Sequence, residues 1–414
     1  MEKHHVEEWN SWWFTGNVPK ELLHEYKRHL YVQLQNSIPK RYVISLTGLR
    51  RTGKTTLLFQ LIEQLLTAGV KKTNILYFSF DDTPNSIESL LDLYRALQKK
   101  DFRKEKIYVF LDEIQKADNW SNQLKKYYDL YPQMKFIISG SEALFIGNSV
   151  KETLAGRLQT FLLKPLSFKE FLEIQKLNVQ QSSAELQILF LRYIENGGFP
   201  ELVGKQQAEI KEYVRSIVLD KIIFKDLVTL FSIRDTETIK QLVELIAANP
   251  GIYVDYASLS RQLDKDRRSI KNYIFLLQES FLIILLGNYR KGATATMRKI
   301  KRAYPVDSSF IFTFKSVIDD SFYGRIVESV LINNTNCTTF WKERYEVDLV
   351  LDGIPYEVKW QNTIIPKDLD SLRSFMKRFS VKKGVLLTKD SEKEVKIEEG
   401  TINFIPVWKY LLQK

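Results

Sequence analysis

The segment Gly48-Leu49-Arg50-Arg51-Thr52-Gly53-Lys54-Thr55 has the spacing G-x-x-x-x-G-K-[ST], a layout suited to holding a polyphosphate. Two glycines let the backbone turn tightly and aim successive N–H groups inward. Lys54 adds a mobile positive charge for the outer phosphates. Thr55, followed by Thr56, offers a hydroxyl to Mg²⁺ and opens a helix whose positive end faces the anion. Further along, the apolar run 107–111 ends in Asp112-Glu113. Acids at the end of a buried strand are costly unless a cation sits beside them. Mg²⁺ on a nucleotide is the natural one, with Asp112 holding it through water and Glu113 orienting or deprotonating the attacking water. A second acidic pair, Asp81-Asp82, closes the run 74–80 and reads as solvated or structural. The run 134–138 leads into Ser139-Gly140-Ser141. Ser141, with Ser139 as the alternative, is the expected contact to the γ-phosphate or the lytic water.

These groups need a scaffold. Residues 41–46 read as a buried strand, and 56–66 repeat apolar residues at helical spacing. Strands near 42, 75, 107 and 134 alternate with helices, which implies a parallel sheet covered on both faces. The site then lies at the carboxyl ends of the strands. Ser167 with Glu170 forms a capping-box pattern. It opens a helix-rich stretch, broken at Gly197-Gly198, that reads as a lid. Arg157 and Arg192 are candidate γ-phosphate sensors, in the same chain or from a neighbour.

The next stretch, 235–289, reads as helix, turn, helix, helix, strand. In it, 255–263 and 266–274 form a helix-turn-helix and 281–286 a wing strand. Arg267, Arg268 and Lys271 face outward, while Ile270, Ile274 and Leu277 share the core face. A basic stretch follows, with Arg290, Lys291, Arg298, Lys299, Lys301 and Arg302, and could grip phosphates. In the last part, Asp348 and Glu357-x-Lys359 flank a hairpin turn at Asp352-Gly353. Two carboxylates and a lysine on adjacent strands suit a hard divalent cation beside a phosphate, with Glu328 completing the shell. A solvated charged hairpin has the same spacing. The expected domains are 1–165 (P-loop core), 166–234 (helical lid), 235–305 (winged helix) and 306–414.

The 414 residues carry a formal charge of +11, which favours an acidic partner, nucleic acid first and an anionic membrane surface second. The lone cysteine, Cys337, excludes an internal disulfide and a cysteine-rich metal site and fits a reducing interior. The first 13 residues hold three tryptophans but no apolar signal core. The apolar stretch 281–286 is too short to span a bilayer. A cytoplasmic protein without membrane insertion is expected.

In order along nearly the whole chain, the segments 46–56, 77–82, 109–115, 138–141, 154–157, 165–171, 197–200, 304–307, 324–328, 346–348 and 357–359 resemble those of predicted archaeal and bacterial AAA-type ATPases with a C-terminal domain of unknown function. Pro305-Val306 departs from the Phe-Val type of pair expected there. The resemblance implies an α/β P-loop NTPase with parallel sheet, helical lid and winged helix, and a tail similar to PD-(D/E)XK nucleases. ATP, Mg²⁺ and DNA are the implied ligands, with oligomers or protein partners open. Three readings remain: an ATP-driven switch or motor acting with DNA, a STAND-like signalling or scaffold ATPase binding protein partners, and an ATP-gated metal-dependent nuclease.

Overall fold

The computed structural model describes residues 2–81, 86–140, 152–177, 182–231, 233–292, 300–315, 317–361 and 363–413. The chain divides into two compact units, Met1–Lys164 and Pro165–Lys414.

The first unit is built on a parallel sheet of β1 (Val43–Thr47), β2 (Ile75–Ser79), β3 (Ile107–Asp112), β4 (Met134–Gly140) and β5 (Leu158–Leu162), in the order β2-β3-β4-β1-β5. Strands β1 to β4 are buried at every residue. That is why their sequences read as unbroken apolar runs: a sheet covered on both faces has no polar side to alternate with. The helix Lys54–Thr67 follows β1 directly. Because β4 lies between β1 and β3, the ends of three neighbouring strands deliver Gly48, Ser139 and Asp112 to one edge.

The second unit opens with two helices, Phe168–Ile174 and Ser183–Asn196, each started by a complete capping box: Ser167 with Glu170, and Ser182 with Glu185. Gly197 and Gly198 follow. A side chain on Gly197 would run into Asp307, which instead accepts the Gly198 N–H at 2.8 Å and caps the helix Ser308–Phe314. The glycine break and the acid at 307 therefore form one packing unit.

Among the described residues this unit holds a nine-stranded mixed sheet: β6 (Ile252–Tyr253), β7 (Ile283–Asn288), β8 (Lys301–Pro305), β9 (Thr339–Lys342), β10 (Glu346–Leu351), β11 (Ile354–Lys359), β12 (Lys383–Thr388), β13 (Lys393–Ile397) and β14 (Gly400–Pro406). The order is β13-β14-β12-β11-β10-β9-β7-β8-β6. Strands β7 and β9 pair in parallel at Gly287 with Thr339 and Asn288 with Phe340, so the segments on either side of residue 305 share one sheet. Three helices, Thr236–Ala248, Tyr256–Gln262 and Arg267–Glu279, accompany β6 to β8. The β10–β11 hairpin turns on Asp352 and Gly353, both at positive φ, as a tight two-residue turn requires.

Candidate functional site

The phosphate loop gets its shape from left-handed or glycine-only backbone at Gly48, Arg51 and Gly53. A Cβ on Gly48 would strike the Leu163 carbonyl, so glycine is required by close approach as well as by φ. Thr52 turns inward and donates to Leu49 O at 2.9 Å, while Arg51 is exposed. The Lys54 ammonium is buried and donates to the carbonyls of Gly48 and Leu49, both at 3.0 Å. Arg28, which the sequence reading did not single out, clamps the loop from behind. Its Nη1 donates to Thr52 O and its Nη2 to Lys164 O, each at 2.8 Å.

Asp112 is the hub of the site. Its Oδ2 accepts from Thr55 Oγ1 at 2.6 Å and from the Tyr77 hydroxyl at 3.2 Å. Its Oδ1 accepts from Ser139 Oγ and from the Glu113 N–H. A hydroxyl and a carboxylate oxygen side by side at a helix start suit Mg²⁺, which is usually held by one or two protein oxygens while keeping several waters. Glu113 stands in left-handed backbone at φ 50, and Gln115 Nε2 donates to its Oε2 at 2.6 Å. Burial raises the Glu113 pKa and Asp112 adds to the rise, while Lys54 and Arg50 oppose it. Arg50 also lies 3.9 Å from Asp81, which bonds Lys116 as well, so Asp81 has cationic partners rather than open solvent alone.

Of the other expected residues, Ser141 lies outside the described residues, and so do Asp82, Arg298 and Lys299. Ser139 is placed at the site and donates to Asp112. Arg157 is corrected as a sensor in its own chain. It immediately precedes β5, whose first residue pairs with Val43 at the start of β1, and five strand residues, about 16 Å, separate that end from the phosphate loop. There it forms a two-pronged ion pair with Asp129, at 3.0 and 3.1 Å. Arg192 is exposed on the helix Ser183–Asn196. A cavity of about 710 Å³ lies along the far half of the helix Lys54–Thr67, lined by residues such as His24, Lys27, Gln60 and Gln64, and by none of the phosphate-loop residues.

In the second unit Arg267, Arg268 and Lys271 are exposed on the helix Arg267–Glu279, while Ile270, Ile274 and Leu277 are buried beneath them. Asp266 caps that helix by accepting from Arg268 N and Ser269 N. Phe275 stays 45% exposed one turn beyond Lys271, so the outer face pairs an aromatic with the basic residues.

The carboxylate cluster of the tail has an unforeseen centre. The β10–β11 register, carried one step beyond Leu349 and Tyr356, sets Asp348 opposite Glu357 on one face. Lys359 Nζ lies 2.7 Å from Glu357 Oε1, and Val358 N donates to Asp348 Oδ2 at 2.9 Å. Between the acids stands Arg302, expected on a phosphate-gripping surface but buried. It is 2.7 and 3.1 Å from the two oxygens of Glu328, 3.1 Å from Glu346 and 3.8 Å from Asp348. Among the described residues no group of three or more His, Cys, Asp or Glu side chains is placed to hold a metal ion. Of the expected metal set, Glu328 and Asp348 lie against the Arg302 guanidinium and Glu357 against Lys359. Burial pushes Glu328 and Glu357 each up to about 8, with Asp348 adding to both.

Known proteins can be set beside this geometry. The description of an AAA domain matches residues 40–172, and that of a domain of unknown function matches 187–320. An uncharacterized protein of Haemophilus influenzae is 30% identical over 277 residues, covering 64% of this chain and 68% of that protein. An uncharacterized protein of Methanocaldococcus jannaschii is 28% identical over 399 residues, covering 88% and 87%. Among solved structures, the Aeropyrum pernix Orc1 protein in complex with DNA aligns at 12% identity over 71% of this chain and 92% of that one, with a TM-score of 0.34, too low to carry an argument. The match to the bacterial relative spans two thirds of that protein, and the AAA domain coincides with the phosphate loop and the Asp112 hub: this chain belongs to a family of AAA-type ATPases.

Proposed function

We propose that the chain is an ATP-binding and ATP-hydrolysing switch of the AAA type that acts with DNA. The observation that carries the ATPase reading is the Thr55–Asp112–Ser139 hydrogen-bonded set, with Glu113 beside it, at the phosphate loop. The loop amides and Lys54 cradle the phosphates, and Thr55 and Asp112 hold Mg²⁺. Bound Mg²⁺ supplies charge neutralisation for the β- and γ-oxygens. Glu113 orients and deprotonates the attacking water, and its raised pKa makes it a better proton acceptor than an exposed carboxylate. Gln115 positions the Glu113 carboxylate, and Ser139 fixes the Asp112 rotamer.

The DNA reading rests on the exposed Arg267, Arg268 and Lys271 over a buried apolar face, in a helix–strand–helix–helix–strand–strand order that we read as a winged helix. The net charge of +11 points the same way. Coupling to DNA is tested by the ATPase rate of the full chain with and without double-stranded, single-stranded and branched DNA. The proposal expects at least one of these to change the rate in the wild type. Hydrolysis that no DNA alters, together with no DNA binding, favours a protein-binding STAND-like role. Absence of Glu113-dependent hydrolysis sinks the ATPase reading.

A further inference from the structure

We infer that Arg302 is the resident cation shared by Glu328, Glu346 and Asp348, occupying the space a divalent metal would need among those three acids, and that it locks β8, β10 and the helix Asp320–Asn334 together. This does not rest on the nucleotide reading, since every residue involved lies in the second unit.

The guanidinium spreads its fork across Glu328, with Nη1 2.7 Å from Oε1 and Nη2 3.1 Å from Oε2. The Tyr304 hydroxyl donates to Oε1 at 2.5 Å and Arg302 Nη2 donates to Oε2, so both oxygens of Glu328 are engaged. Nη1 also lies 3.1 Å from Glu346 and 3.8 Å from Asp348. An ion shared by Glu328, Glu346 and Asp348 would need their oxygens about 2.0–2.6 Å from its centre, and the Arg302 guanidinium stands among those three acids. Of the remaining acids, Asp348 accepts the Val358 N–H through Oδ2 and Glu357 pairs with Lys359 through Oε1, while Glu357 Oε2 is buried without a hydrogen-bond partner. The seat for the guanidinium is built. Nε donates to Gly251 O at 3.1 Å, and a side chain at Gly251 would collide with the fork. The rings of Tyr304 and Phe340 lie 5.2 and 5.6 Å from the guanidinium carbon, where an aromatic face attracts the cation. A planar, always-charged fork suits this role as a point-like ammonium would not. One side chain from β8 thus joins the turn before β6, the helix Asp320–Asn334 and β10. Removing it strands buried carboxylates, which is far more disruptive than removing an exposed pair.

The test uses the full chain carrying Asp112→Asn, so that the nucleotide site does not compete for ions. Bound Mn²⁺ is counted by electron paramagnetic resonance, and the melting temperature is followed with and without Mg²⁺. With Arg302 intact, no Mn²⁺ is retained at submillimolar concentration and Mg²⁺ leaves the melting of the second unit unmoved. Arg302→Gln and Glu328→Gln each lower that melting temperature, and failure of either variant to fold is the same result in stronger form. The inference is overturned by submillimolar Mn²⁺ binding in the Arg302-intact chain that Asp348→Asn or Glu357→Gln removes. Mn²⁺-dependent DNA cleavage abolished by Asp348→Asn overturns it as well. So does a Glu328→Gln chain that melts at the unaltered temperature, because a lock cannot lose its main partner without effect.

Discussion

Glu113 and Arg28 show two ways in which one residue can serve the nucleotide site. On the proposed reading Glu113 carries the reactive carboxylate, so Glu113→Gln should keep Mg-ATP binding while the turnover rate falls by about 10²- to 10⁴-fold, the usual contribution of a general base. Nucleotide binding and single-turnover hydrolysis measured on the same sample check this, and a wild-type rate would show that Glu113 is not the base. Arg28 touches no reacting atom. Arg28→Ala leaves the buried carbonyl of Thr52 and the part-buried carbonyl of Lys164 without those donors, and a charge-assisted hydrogen bond is worth about 1.5–3 kcal/mol. The expected outcome is a lower melting temperature and weaker ATP binding, with turnover at saturating ATP nearly kept. The two residues also differ in legibility. Glu113 closes an apolar strand and announces itself. Arg28 acts on carbonyls 24 and 136 positions away, and a guanidinium aimed at main-chain oxygens leaves no spacing to read. Arg302 was hidden for the same reason: in sequence it belongs to a basic stretch, and only the folded sheet brings Glu328, Glu346 and Asp348 around it.

At the scale of elements, the helix Arg267–Glu279 makes a direct prediction. Replacing Arg267, Arg268 and Lys271 with Glu should weaken DNA binding and flatten its salt dependence, each lost phosphate contact lowering the slope by about 0.9 for duplex DNA. Binding measured across a salt series checks it, and an unchanged slope would remove this face from DNA contact. Strand β4 carries a second prediction. Burial, with Lys106 and Lys40 nearby, pulls the Lys135 ammonium from its ordinary 10.5 down to about 8, although it donates to the carbonyls of Ser37, Lys40 and Tyr42. The folded chain therefore releases this proton before the unfolded chain does, and between about pH 8 and 10.5 the unfolded state binds more protons. The Lys135 contribution to stability is present above that window and is lost as pH falls through about 8. The melting difference between wild type and Lys135→Met should shift in favour of the wild type as pH rises through the window, and a flat difference would contradict it. The buried strands of the first unit and the capped helices of the second were legible because period and caps are local signals. The single sheet running from β6 to β13 was not, since pairing such as β7 with β9 joins segments some fifty residues apart with nothing local to mark it.

For the molecule as a whole, the phosphate loop, Asp112 and Glu113 all fall within Met1–Lys164. Ligand linkage should act on the unfolding of that unit: ATP at a hundred times its dissociation constant adds about 2.7 kcal/mol. Calorimetry with and without Mg-ATP should move the transition of the first unit, and a shift confined to the second would relocate the binding site. The arrangement at the outer strand of the first sheet bears on how the chain can be handled. β2 is an edge, with the main-chain groups of Ile75 and Tyr77 facing away from β3. Asn10 imitates a neighbouring strand, donating to Tyr77 O at 2.8 Å and accepting its N–H at 2.7 Å, while the indoles of Trp12 and Trp13 both donate to Ile75 O. The tryptophan-rich start of the chain is thus a cover for a fully buried, strongly β-forming strand. A chain trimmed to begin just after residue 20 would keep Arg28 and every phosphate-loop residue and still expose Ile75–Ser79 as a sticky template. Such a trimmed protein should collect in inclusion bodies or pair edge to edge, so recombinant versions of the ATPase unit need their first twenty residues for solubility rather than for chemistry.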